Sequence, residues 1–171
     1  MASGDVTVTY SNSTTLTQTN LDGLTTSATW VAGWESDAID NSSTKYEDIV
    51  ITATIKANTS APSAAAQARM YLVAENADGT WPDVFDGTES TETVTATNIR
   101  DAICRLGAYT DTDTTASRVY YMHCPSVATV FGGFVPRKFV IFITHSMSQA
   151  LATTSDPNQV YWRGMARNVA P

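Results

Sequence analysis

Basic side chains are scarce in this chain: 10 Lys and Arg stand against 17 Asp and Glu, a formal net charge of -7 over 171 residues. A surface of that sign repels phosphate backbones and anionic headgroups, so neither nucleic acid nor a membrane is an expected partner. Cysteine is nearly missing as well. Cys104 and Cys124 make no disulfide framework at this length and read as two free, mostly buried thiols. Apolar runs are short; the best, FVIFI at 139–143, is the size of a strand, far below the roughly 20 residues that span a bilayer. Residues 1–5 lack the basic-then-apolar order of a secretory signal, so synthesis and assembly in a cytoplasm are expected. No Gly-rich phosphate loop or nucleophile elbow punctuates the sequence.

What the chain has in excess is threonine, at roughly one residue in six. The threonines alternate with apolar residues, as in VTVTY at 6–10 and IVITATI at 49–55. A β-branched side chain is stiff at χ1 and suits a pleated, half-wet surface, so alternating threonine marks the solvent side of a strand. An all-β protein follows from composition alone.

Residues 1–26 are rich in Ser, Thr and Asn with one weak alternation, and read as an N-terminal arm or edge strand, flexible or bound to a partner. Residues 27–171 read as a single β-sandwich domain. Within it, TWVAGWE at 29–35 predicts a strand with a bulge at Gly33, with a short helix as the competing reading. Strands are predicted at 46–57, 69–74, 138–144 and 159–169, the run from Lys138 being the central one. Residues 104–110 and 118–123 predict a hairpin around a polar turn, residues 97–103 a short helical turn, and residues 81–87 a loop. Residues 126–131 stay ambiguous. Some seven to nine strands joined by turns too short for crossover helices favour a sandwich of jelly-roll type.

Several side-chain groups could carry chemistry, each against a plainer alternative. Asp83, Asp86 and Glu89, with Asp78 nearby, could offer oxygens to a hard cation, but their spacing fits no calcium loop, and a solvated acidic loop is the simpler reading. Asp111 and Asp113 read as turn residues. His123, Cys124 and His145 lack the paired spacing of a zinc site and any evident orienting group for a nucleophile. Glu35, Asp37, Asp40, Glu47 and Asp48 could supply a glycosidase pair by number alone. Trp30, Trp34, Trp81 and Trp162 could fill the core, line an interface or stack on sugars. No catalytic, metal or cofactor residue is assigned from sequence. The expected contact residues are Trp30, Trp34, Trp81, Phe85 and Trp162.

Four blocks carry a resemblance: SATWVAGWESDAIDN at 27–41, WPDVFDG at 81–87, IRD at 99–101 and FGGFVPRK at 131–138, the last leading into the strand that ends at His145. Together they resemble a family of small virion structural proteins of tailed bacteriophages. The resemblance implies a capsid decoration, or cement, protein that binds the major capsid protein across capsomers. It implies no catalytic residues, a location on the phage particle, and a homotrimer matched to the three-fold positions of the shell. A carbohydrate-binding module of a phage head or tail fibre, adhering to host glycans, is the alternative. Tryptophans buried in the core or between subunits favour the first; a tryptophan-lined groove favours the second.

Overall fold

The computed structural model describes residues 5–153 and 158–169. Eleven strands form two antiparallel sheets packed face to face. Sheet A runs β1 (Val6–Tyr10), β11 (Gln159–Val169), β5 (Asp48–Lys56), β9 (Val119–Cys124), with the short β2 (Thr14–Thr15) also on β11. Sheet B runs β7 (Ser90–Thr93), β3 (Ala32–Glu35), β10 (Lys138–His145), β6 (Gln67–Ala74), β8 (Arg105–Asp111), with β4 (Ile39–Asp40) also on β10. Taking only β1, β3, β5, β6, β8, β9, β10 and β11 as first to eighth, sheet A is ordered first, eighth, third, sixth, and sheet B second, seventh, fourth, fifth. That is the strand order of a jelly roll.

The burial patterns explain why these segments are strands. β5 alternates strictly, with Ile49, Ile51, Ala53 and Ile55 inside and Val50, Thr52, Thr54 and Lys56 outside. Isoleucine and threonine thus share one strand and divide its two faces. β10 behaves differently: all its residues after Lys138 are buried, because both of its faces are covered. The interior between the sheets holds Trp34, Met70, Leu72, Met122, Phe139, Ile141 and Ile143. A second, smaller apolar cluster of Tyr71, Val73, Phe85, Val94, Cys104, Val140 and Phe142 lies on the far side of sheet B. Its cover comes from the segment between β6 and β8, through Trp81, Phe85, Val94 and the helix α1 (Thr97–Ile103).

Several sequence expectations meet specific outcomes. Residues 6–10 form an edge strand, paired antiparallel with β11 from Val6 opposite Val169 to Tyr10 opposite Met165. Further along the same segment, Leu21 and Leu24 are buried in the main core, so the stretch before residue 27 contributes to the sandwich interior. Gly33 makes no bulge; it pairs in register with Glu92 of β7. Glycine is needed there for closeness, because a Cβ would meet the Ile143 carbonyl at 2.5 Å and the Phe142 ring at 2.7 Å. The one register shift in sheet B lies between Met70 and Tyr71. The expected hairpin is also replaced. β8 pairs with β6 and β9 with β5, so the turn between them carries the chain from one sheet to the other. The alternation of β9 requires this, since Tyr120, Met122 and Cys124 must point inward beneath sheet A. The ambiguous stretch is a one-turn helix, α2 (Val127–Val130), capped by the Ser126 hydroxyl accepting from Thr129 N–H at 3.0 Å.

Candidate functional site

Directly paired residues of neighbouring strands point to the same side of a sheet, so the register fixes what sheet A presents outward. Tyr161, Thr52 and His123 form one row, Arg163 and Val50 the next, and Gln159, Thr54 and Tyr121 another. Towards the edge, Tyr10 and Val8 continue the surface beside Met165 and Arg167. Tyr121 is 67% exposed, Tyr10 63%, Val6 61% and Val8 51%. Thr52 Oγ1 lies 3.2 Å from His123 Nδ1. The result is a broad face of threonine hydroxyls, tyrosine rings and valines, with Lys56, Arg163 and Arg167 as its cations.

Two concavities border this face. A shallow depression of about 350 Å³ is lined by Tyr10, Val50, Thr52, Tyr161, Trp162 and Arg163. At the end of the sheet, an open groove of about 880 Å³ lies between the 41–48 loop, the 133–137 loop and the far half of β11. Phe134, 62% exposed, stands in that groove with Lys45, Glu47, Arg137 and Arg167. Its charges are partly neutralised: Arg167 pairs with Glu47 at 3.0 Å, and Arg137 pairs with Asp78.

The five expected contact residues fall into separate places. Trp34 has no exposed surface; its strand alternation turns the indole inward, and Nε1–H donates to Glu89 Oε1 at 2.6 Å. Phe85 is buried in the smaller cluster, edge-to-face with Phe142 at 5.4 Å. Neither can meet a partner while the chain is folded, which corrects the expectation for both. Trp81 is half-buried against that same cluster, close enough to Gly87 that a Cβ there would meet the ring at 2.9 Å. Trp162 is half-buried on the main core, edge-on to Tyr46 at 5.9 Å. Trp30 takes a left-handed φ of 61° and lies under the Arg69 guanidinium, 4.1 Å from its centroid. Trp34, Trp81 and Trp162 are thus spent on packing, and the four tryptophans line no common groove among the described residues.

The acidic and histidine candidates are likewise occupied. Asp83 accepts from the Thr95 N–H and hydroxyl at 2.8 and 2.6 Å, and Asp86 from Thr88 N–H at 2.8 Å. Glu89 binds Asn20 as well as Trp34. Asp113 pairs with Arg118, and the Tyr120 hydroxyl donates to it at 2.9 Å. Among the described residues no group of three or more His, Cys, Asp or Glu could hold a metal ion. His123 is exposed on sheet A, whereas His145 is buried with Nε2 3.0 Å from the Leu24 carbonyl. Burial holds His145 below its usual value, and pushes Cys124 up and Cys104 up to about 12. Both cysteines are free and buried.

Glu35 is the exception among the carboxylates. It has no exposed surface, and its Oε1 accepts from the N–H groups of Gly87 at 2.8 Å and Asp86 at 3.2 Å. Its Oε2 has no hydrogen-bond partner among the described residues. Burial pushes its carboxyl up to about 7, against the pull of those two N–H donors. The other carboxylates of the supposed glycosidase set are each engaged: Asp37 accepts from the Glu89 N–H at 3.0 Å, Asp40 meets Lys138, Glu47 meets Arg167, and Asp48 accepts from the N–H of Ala128.

Sequence reasoning missed the tyrosines and valines of the open face. Their signal was the VTVTY alternation itself, whose apolar members face outward here.

No protein-family model matches the chain, and no curated protein matches it.

Proposed function

We propose that the chain is a non-enzymatic structural component of a tailed-phage particle, a decoration protein that binds the major capsid protein across capsomers and stabilises the head. The observation that carries this is the outer face of sheet A: broad, lightly charged, and rich in exposed tyrosine and valine. Tyrosine supplies amphipathic contact area at low conformational cost, and protein interfaces are enriched in it. A flat face of this kind suits another protein surface better than a small molecule, which needs concavity. Many copies, each with modest contacts, attach firmly because the shell presents them together. The blocks at 27–41, 81–87 and 131–138 add the phage assignment by resemblance.

Glycan adhesion is the second reading, favoured by the depression beside the Tyr10 and Tyr161 rings, where a sugar ring could stack. The inward use of Trp34 and Trp162 weighs against it. Cryo-microscopy of purified particles of the encoding phage tests both. Density for this chain at capsomer boundaries, lost in particles carrying Tyr121→Glu, is the expected result. Density confined to fibre tips, together with binding on a glycan array, would establish the second reading instead. Particles lacking the chain would dismiss both.

A further inference from the structure

The edge strand β1 of sheet A exposes Val6, Val8 and Tyr10, and its geometry is specific. Ser11 N–H donates to the Gly164 carbonyl at 2.9 Å, in register with the β1–β11 ladder. Antiparallel ladders alternate, so Thr7 and Thr9 also direct their N–H and C=O groups at β11. The Thr7 and Thr9 hydroxyls turn the same way, onto the Asn168 and Ala166 carbonyls at 3.4 and 3.3 Å. Val6, Val8 and Tyr10 therefore direct theirs away from the sheet. No described strand pairs with that side of β1. Edges of this kind are usually blunted by lysine, proline, a bulge or an inward charge, and Val6–Tyr10 has none of these.

The geometry points to a second copy of this chain as the occupant, added strand to strand across a two-fold axis at Val8. An outward row of main-chain donors and acceptors is complemented by another strand, and the sequence VTVTY is complementary to itself. Antiparallel pairing centred on Val8 sets Val8 against Val8 and Val6 against Tyr10. These are the residues whose N–H and C=O groups face outward, so three pairs exchange about six main-chain hydrogen bonds. Opposed residues share a face, so valine and tyrosine meet on the open side while Thr7 meets Thr9 on the other. Residues 6–10 carry no charge, so none is brought against its like. Sheet A becomes continuous through both copies, and its tyrosine face doubles in width. The symmetry is two-fold, in contrast to the trimer suggested by shell positions, and it does not rest on the phage assignment.

A five-residue strand buries less than the roughly 800 Å² per partner of a stable interface, so the dimer is weak, with a Kd on the order of 10–100 µM. Sedimentation velocity over that range, with amide hydrogen exchange on the same samples, tests it. Dimer should appear on concentration, and the Val6, Val8 and Tyr10 amides should gain protection as it does. The Thr7 and Thr9 amides should be protected at every concentration. Val8→Lys, at an exposed position, should weaken association at least tenfold with an unchanged far-UV spectrum. A monomer throughout, a trimer, a dimer indifferent to Val8→Lys, or concentration-dependent protection that spares these three amides would each overturn the proposal.

Discussion

On the outer side of sheet B, Tyr71, Val73, Val140 and Phe142 lie beneath a covering segment, whereas on the outer side of sheet A the matching layer is Thr52, Thr54, Tyr121 and His123 and lies open. Both sheets belong to one sandwich and share one interior. They differ in what the strands offer to the far side, and the cover follows from that. A row of valine and aromatic rings exposed to water would cost about 25 cal/mol per Å², and the insertion between β6 and β8 removes that cost. A threonine row hydrates without help. Covered and open faces are thus two solutions to one problem, and the cover on sheet B stops short of β8, where Leu106 and Tyr109 stay exposed.

The largest test of this contrast is Phe142→Ala. The ring is fully buried between sheet B and its cover, against Phe85 and Tyr71, so its loss should cost about 3–5 kcal/mol in urea unfolding. A cost under about 1 kcal/mol would mean that the cover packs loosely and that the two faces differ little.

Next comes the pH dependence of the clamp that Glu35 makes between β3 and the cover. Unfolded, its carboxyl titrates near 4.5; folded, near 7. Below the lower value both states hold the proton and its contribution is complete. As pH rises through the window the unfolded state sheds a proton that the folded state keeps, and about 3 kcal/mol is lost by pH 7. His145 acts in the opposite sense: its lowered value means stability falls as pH drops below 6.5. Comparison of the wild type with Glu35→Gln isolates the first effect, since the variant should lose the decline between about pH 5 and pH 7. An identical pH profile in both proteins would remove Glu35 as its cause.

The smallest expected effect completes the comparison. Thr54→Ala on the open face should change stability by no more than about 0.5 kcal/mol, read from the same unfolding curves. A change beyond about 1 kcal/mol would show that this face is not solvent-facing in solution.

The contrast also explains what could be read from the residues in advance. β5 showed itself by alternation and β10 by an unbroken apolar run, because the first is covered on one side and the second on both. α1 at Thr97–Ile103 and β11 at Gln159–Val169 stand where the pattern put them. The cover itself was illegible. Phe85, Val94, Ile99 and Cys104 come from a loop, a strand end and a helix, with no shared period, and only the fold gathers them. Trp34 and Phe85 misled for a related reason: a large aromatic in a short block looks the same whether it faces a partner or the interior. The open face was hidden by its mildness, since threonine and tyrosine on a strand form no motif.

The pairing of β1 and β5 on either side of β11 has a consequence for the order of assembly during synthesis. All strands of sheet B have been made once His145 emerges, but the middle of sheet A arrives only with residues 159–169. Until then β1 has no ladder to join, and the interior lacks Val160 and Trp162, although β5 and β9 are already made. β1 therefore stays without its partner strand from early in translation until β11 is made, and one late strand completes sheet A.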